Sequence, residues 1–273
     1  MPRRQWLAAA MLATGAFLVV SAQLAGAASD RRGGVFRVGT TGASVQVDPQ
    51  LAYITTAWWL EYATAAKLYN HPDKRGAAGT QLQPEVASRY RVSNSGKRYT
   101  FFIRKGFRFS DGTPVRAKHF KHAINRAANK ELASPGAQFI TDENGTNIVG
   151  AQAVNSGKGT DVRGVQVKGN QLIINLTRAD GTFMSKITMP FFQATHTKLS
   201  RTREVIGVSG QALPSPGPYY VAAREPNRSI TLRRNPHYCS TPRAVRRPNN
   251  INLINMTMNV NLESGHNQVD AGQ

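Results

Sequence analysis

A mixed α/β chain is the fold class the sequence predicts, and the stretch RYTFFIRKGFRFSDGTPVRAKHFKHAINRA, Arg98 to Ala127, carries the two observations behind it. Tyr99, Phe101 and Ile103 alternate with Thr100, Phe102 and Arg104, the period-two pattern of a half-buried strand. Phe120, Ala123, Ile124 and Ala127 then fall at i, i+3, i+4 and i+7, which puts them on one helix face. A third observation lies upstream, where VFRV reads as a strand and Trp59, Tyr62, Ala63 and Ala66 fall at helical spacing.

The N-terminus reads as an export signal. MPRRQW is basic, LAAAMLATGAFLVVSAQLAG is an uncharged apolar run, and Ala25-Gly26-Ala27 supplies the small residues of a cleavage site after Ala27. Residues 1–27 are therefore expected to be a signal peptide. A lipid anchor is not expected, because Ala27 stands where a lipidated cysteine would be; the one cysteine is Cys239. One cysteine also excludes an internal disulfide and a cysteine-based metal site.

Beyond the signal, the strand Val35–Val38 leads into a glycine-rich loop closed by Asp48-Pro49. A helix is expected from Thr56, with Thr55 or Thr56 able to cap it. NHPDKRGAAGT, residues 70–80, is polar and turn-rich and marks a candidate boundary. In the quoted stretch, Arg104-Lys105-Gly106 is expected to turn the chain into a return strand carrying Phe107 and Phe109, and Ser110-Asp111-Gly112 makes a second turn. Arg116, Lys118, His119, Lys121, His122 and Arg126 lie mostly off the apolar helix face, so they read as solvated surface.

Charge sets the second question. Thirty-five Lys+Arg against 15 Asp+Glu give +20, which favours polyanionic partners at low salt. The alternation accounts for the aromatics as core, so a specific nucleic-acid surface is not expected. His119 and His122 stand i, i+3, but no acid or cysteine completes a metal set beside Lys118 and Lys121. No nucleophile elbow, P-loop or paired-carboxylate signature is present, so neither an enzyme nor a cofactor is expected.

At this point the residues resemble a known family. TFFIRKGFRFSDGTPVRAKHF is similar to the signature hairpin and helix of the extracellular solute-binding proteins of family 5, the dipeptide, oligopeptide and nickel receptors of ABC importers. Four further stretches agree in the family's order. VDPQLAY and LQPEVASRYRVSNSGKRYTF precede the hairpin. NIVGAQAVNSGKGTDVRGVQVKGNQLIINLTRADGTFMSKITMPFF and PSPGPYYVAAREPNRSITLRRNPHY follow it.

The resemblance implies an α/β clamshell like that of the periplasmic binding proteins of type II, with only its first lobe covered by this chain. It implies a discontinuous sheet domain at residues 30–68 and 164–273, incomplete, with a smaller α+β domain inserted at 69–163. It implies an exported, monomeric protein, outside the cytoplasmic membrane in the periplasm or at the cell surface, that binds a peptide or similar small solute and passes it to an ABC permease. Tyr53, Ile54 and Thr55 match the loop that approaches the family's ligand cleft, and Trp58 and Trp59 read as core. Gly217 of PGPY is expected to permit a close approach, with Tyr219 beginning a strand. The family pattern continues past the Val269-Asp270-Ala271-Gly272 region, so the chain is expected to be a fragment or a truncated form. A basic exported polyanion binder and an inert remnant stay open as alternatives. The helix start departs from the family: Arg116, Lys118 and His119 stand where a cap and acidic residues are usual, a reversal costing on the order of 0.3–1 kcal/mol per charge.

Overall fold

The computed structural model describes residues 32–42, 45–141, 145–204, 212–242 and 245–272; the expected signal peptide lies outside them. Two four-stranded sheets organise these residues. The first has the order β1 (Val35–Gly39), β10 (Leu253–Thr257), β9 (Ser229–Arg234), β8 (Tyr219–Glu225). β1 pairs with β10 in parallel, and the other pairs are antiparallel. The second sheet has the order β4 (Ala87–Ser93), β5 (Arg98–Ile103), β7 (Gln171–Asn175), β6 (Val165–Lys168) and is antiparallel throughout. A short pair, β2 (Tyr69–Asn70) and β3 (Gln83–Pro84), brackets the turn-rich residues 70–80.

Each sheet buries one face under a helix, as the amphipathic patterns require. Over the first sheet lies α1 (Thr55–Thr64), whose Ala57 and Leu60 join Tyr219, Val221, Ile230, Leu232 and Met256 in one core. α2 (Ala117–Ala128) covers the second sheet. Its Phe120, Ile124 and Ala127 pack with Tyr99, Phe101, Leu172 and Ile174. Phe101, Phe107, Phe109 and Phe120 are all buried, each contributing roughly 1.5–3 kcal/mol by area. The remaining helices are short: α3 (Ala151–Asn155), α4 (Phe183–Lys186) and α5 (Leu262–Asp270).

Four sequence expectations need correction. β6 and β7, placed by sequence in the sheet of residues 164–273, hydrogen-bond instead beside β5; their apolar residues Val165, Leu172 and Ile174 complete the core under α2. The antiparallel hairpin partner of β5 is β4, joined through Asn94 to Lys97. Phe107 and Phe109 are therefore not on a return strand. They pair locally with the chain leaving the Asp111-Gly112 turn, where Phe109 N donates to Thr113 O and Val115 N donates to Phe107 O, both at 2.9 Å. α1 is present but turned: Trp59 and Tyr62 are exposed and Ala57, Leu60, Glu61 and Thr64 are buried. Ile54 holds its N-cap position, and neither threonine's side chain caps it.

Gly217 does what was expected of it. Its N–H donates to Thr64 O at 2.8 Å across the end of α1. A Cβ there would lie 2.4 Å from Thr64 C and 2.8 Å from Ala65 O, both backbone atoms. Gly217→Ala is expected to destabilise the chain by about 1–3 kcal/mol through overpacking. A urea midpoint unchanged from wild type would show that the PGPY loop is loose. Tyr219 opens β8, also as expected.

Candidate ligand-facing wall

The wall begins with a loop that has little regular structure and is held by side chains. Asp48 Oδ1 accepts from Gln50 N at 3.0 Å, a local turn that starts the descent into α1. Arg126 of α2 then grips this turn from the other sheet's helix. Its Nη1 and Nη2 donate to Asp48 Oδ1 and Oδ2 at 2.9 and 2.7 Å, a bidentate pair with both side chains fully buried. Nη1 also donates to Gln50 Oε1. Gln50 Nε2 donates to Thr195 Oγ1 at 2.9 Å, and Ser134 Oγ donates to Gln50 O.

This corrects the reading of α2's charges as surface. Arg126, His119 and His122 are buried, because residues 195–203 run along that side of the helix. His122 Nε2 donates to Leu199 O at 2.9 Å and Arg126 Nε donates to Ser200 O at 2.6 Å. Burial holds both imidazoles at a pKa of about 4, so they are neutral at physiological pH. The signal was in the spacing: 119, 122 and 126 flank the apolar stripe on one side.

Beyond the anchored turn, Tyr53, Ile54 and Thr55 are exposed, Tyr53 at 46% and Ile54 at 53%. They do not pack beneath α1. Tyr53 stands on an aromatic base instead: its ring centroid lies 5.8 Å from Phe139, 5.8 Å from Phe191 and 6.2 Å from Trp58. Trp58 is half-buried, touches both cores and donates its Nε1–H to Ala52 O at 2.9 Å. Trp59, read from sequence as core, is 59% exposed. Phe139 and Phe191 come from distant turns, and nothing in local sequence ties them to Tyr53. The structure thus leaves these three consecutive residues at the surface, with Tyr53 backed by the rings of Trp58, Phe139 and Phe191.

Behind α1 a second polar group is buried. Glu61 accepts from Gln193 Nε2 beside a small cavity of about 20 Å3, room for one water. Burial pushes its carboxyl up to about 8. Burial likewise lowers Lys67 to about 8, against the attraction of Glu85. Arg247 closes this end, donating to Tyr62 O and Ala65 O and lying 3.5 Å from Glu85.

With this geometry in view, the chain can be set against known proteins. Residues 81–272 match the bacterial extracellular solute-binding proteins, family 5 (middle region). The chain belongs to that family. The chain is 28% identical over 203 residues to the probable deoxycholate-binding periplasmic protein YgiS of Escherichia coli (strain K12), covering 71% of this chain and 35% of that one. It is 30% identical over 161 residues to the oligopeptide-binding protein OppA of Bacillus subtilis (strain 168), covering 57% and 29%. Its fold superposes on the clavulanic acid biosynthesis oligopeptide binding protein 2 with a TM-score of 0.74 at 24% identity, covering 89% of this chain and 43% of that one. The fold is thus that of the periplasmic binding proteins of type II over part of their length. The chain spans about a third of the length of these curated relatives, and they are named as binding proteins rather than as enzymes. Among the described residues, no helix is long and apolar enough to cross a membrane.

Proposed function

We propose that this solute-binding chain supplies one wall of a receptor for peptides or similar small solutes, with Tyr53, Ile54 and Thr55 as ligand contacts. The receptor acts as a monomer outside the cytoplasmic membrane and hands its solute to an ABC permease. The observation that carries the reading is the exposed Tyr53–Ile54 pair held on a buried ionic anchor. Large apolar side chains at the surface are ordinary one by one, but here a fully buried Arg126–Asp48 pair and three aromatic rings fix their position. Preorganised aromatic surface binds at low entropic cost. The named ligands of the relatives, oligopeptides and deoxycholate, both offer apolar area to such a wall.

The test is titration of the chain with tri- to pentapeptides and with deoxycholate, followed by tryptophan fluorescence, since Trp58 neighbours Tyr53. Tyr53→Ala is expected to weaken binding about tenfold, the loss of roughly 1.4 kcal/mol of ring contact. Binding that ignores Tyr53→Ala and fades only with salt would reject this wall in favour of general charge attraction.

A further inference from the structure

We propose that the cleft between the end of β5 and the start of α2 is an oxyanion site that takes a phosphate group. It holds about 280 Å3 and is lined by Arg104, Lys105, Arg108 and Arg116, with Asn170 of the β6–β7 turn at its side. Among the described residues, no carboxylate lines it. The local pairing brings these cations together: the bridge Arg108–Pro114 and the bond from Val115 N to Phe107 O lay the segment carrying Arg104 and Arg108 against the one carrying Arg116.

The neighbouring charges sharpen the case. Asp111, in the intervening turn, faces the other way, with Oδ2 3.3 Å from His196 Nε2 and 3.8 Å from Lys198 Nζ. The first turn of α2 carries no acidic side chain, and Arg116 and Lys118 sit at its positive end, where cations are disfavoured. Arg108 Nη1 donates to Gly112 O at 2.9 Å, which pins that guanidinium at the rim. Arg104 is half-buried, and its Nε is buried without a hydrogen-bond partner. Like charges gathered without a counter-charge repel one another, and a bound anion removes that repulsion. Guanidinium forks match the oxygens of a phosphate in geometry as well as charge. At about 280 Å3 the cleft lies at the small end of ligand pockets, roughly 300–1,000 Å3, and has room for a phosphate group. It shares no residue with the Tyr53 wall.

That phosphate can be free in solution or part of an anionic lipid headgroup, and one experiment separates the two. The chain is titrated calorimetrically with sodium phosphate at constant ionic strength, with chloride as the balancing salt. The variants are Arg104→Met with Arg116→Gln, and, as a charge-matched control, Arg89→Gln with Arg91→Gln on the outer strand β4. Saturable 1:1 binding is expected, at least tenfold weaker in the first pair and within twofold of wild type in the control. If the first pair does not fold, Lys105→Gln with Arg108→Gln takes its place. Binding no stronger than the chloride background, or an equal loss in both pairs, overturns the site. Sedimentation with phosphatidylglycerol vesicles then names the source. Vesicle binding that phosphate displaces and the cleft variants lose assigns a headgroup; phosphate binding without vesicle binding assigns the free ion.

Discussion

Arg126→Met is expected to cost about 3–5 kcal/mol of stability, because it leaves the Asp48 carboxylate buried without its cation. Methionine keeps the helix and much of the volume, so the loss is electrostatic rather than a loss of α2. The double variant Arg126→Met, Asp48→Leu removes both charges. It is expected to be less destabilised than Arg126→Met alone, since apolar replacement of a whole buried pair is often neutral. Urea unfolding monitored by circular dichroism measures both. A single variant within 1 kcal/mol of wild type would mean that water reaches the pair. The same substitution frees Gln50 and the turn before Tyr53, so ligand affinity should fall in step with stability. Tyr53→Ala, by contrast, should lower affinity and leave stability nearly unchanged.

Glu61 gives the second large effect, and it depends on pH. Its carboxyl titrates near 8 when folded, chiefly through burial, against 4.5 for the ordinary group. The folded state therefore holds a proton that the unfolded chain releases. Stability from this group is complete below pH 4.5 and is lost as pH rises towards 8. Glu61→Gln cannot titrate, and its amide can donate to Gln193 Oε1, which is buried without a partner. The stability of the variant relative to wild type is expected to grow between pH 5 and pH 8 by on the order of 3 kcal/mol, at about 1.4 kcal/mol per pH unit. His119 and His122 act in the opposite sense. Their lowered values make stability fall as pH drops below 6.5 towards 4, but they are common to both proteins and cancel in the difference. A difference that stays constant across the window would show that Glu61 is ionised and solvated in the native state.

The local elements were legible in the sequence because their causes are local. The alternation through Tyr99, Phe101 and Ile103 gave a strand with those three side chains inward, and the stripe Phe120 to Ala127 gave α2 within a residue of its ends. The Asp111-Gly112 turn was legible too, since Gly112 takes a φ of +85° that other residues resist. The resemblance carried the fold further than periodicity did, and it is the source of the proposal that Tyr53, Ile54 and Thr55 contact the ligand.

Three things escaped the sequence: the partner of β5, the orientation of α1 and the burial of Arg126. Period-two alternation says which way a side chain faces but not which strand lies beside it, so β4 and β7 could displace the expected return strand. α1 has apolar residues on more than one side, with Trp58, Trp59, Leu60 and Tyr62 all available to a core; packing against Tyr219 and Val221 chose Ala57 and Leu60 and left Trp59 outside. Arg126 is a charged residue in a basic run, which by itself reads as surface. What buries it is Asp48, 78 residues earlier in the chain, together with the carbonyls of Ser200 and Arg203. By itself the sequence determined the elements whose side-chain pattern repeats within a few residues. Only the tertiary structure decided which polar groups could be taken out of water, because burial requires partners that meet only after the chain has folded.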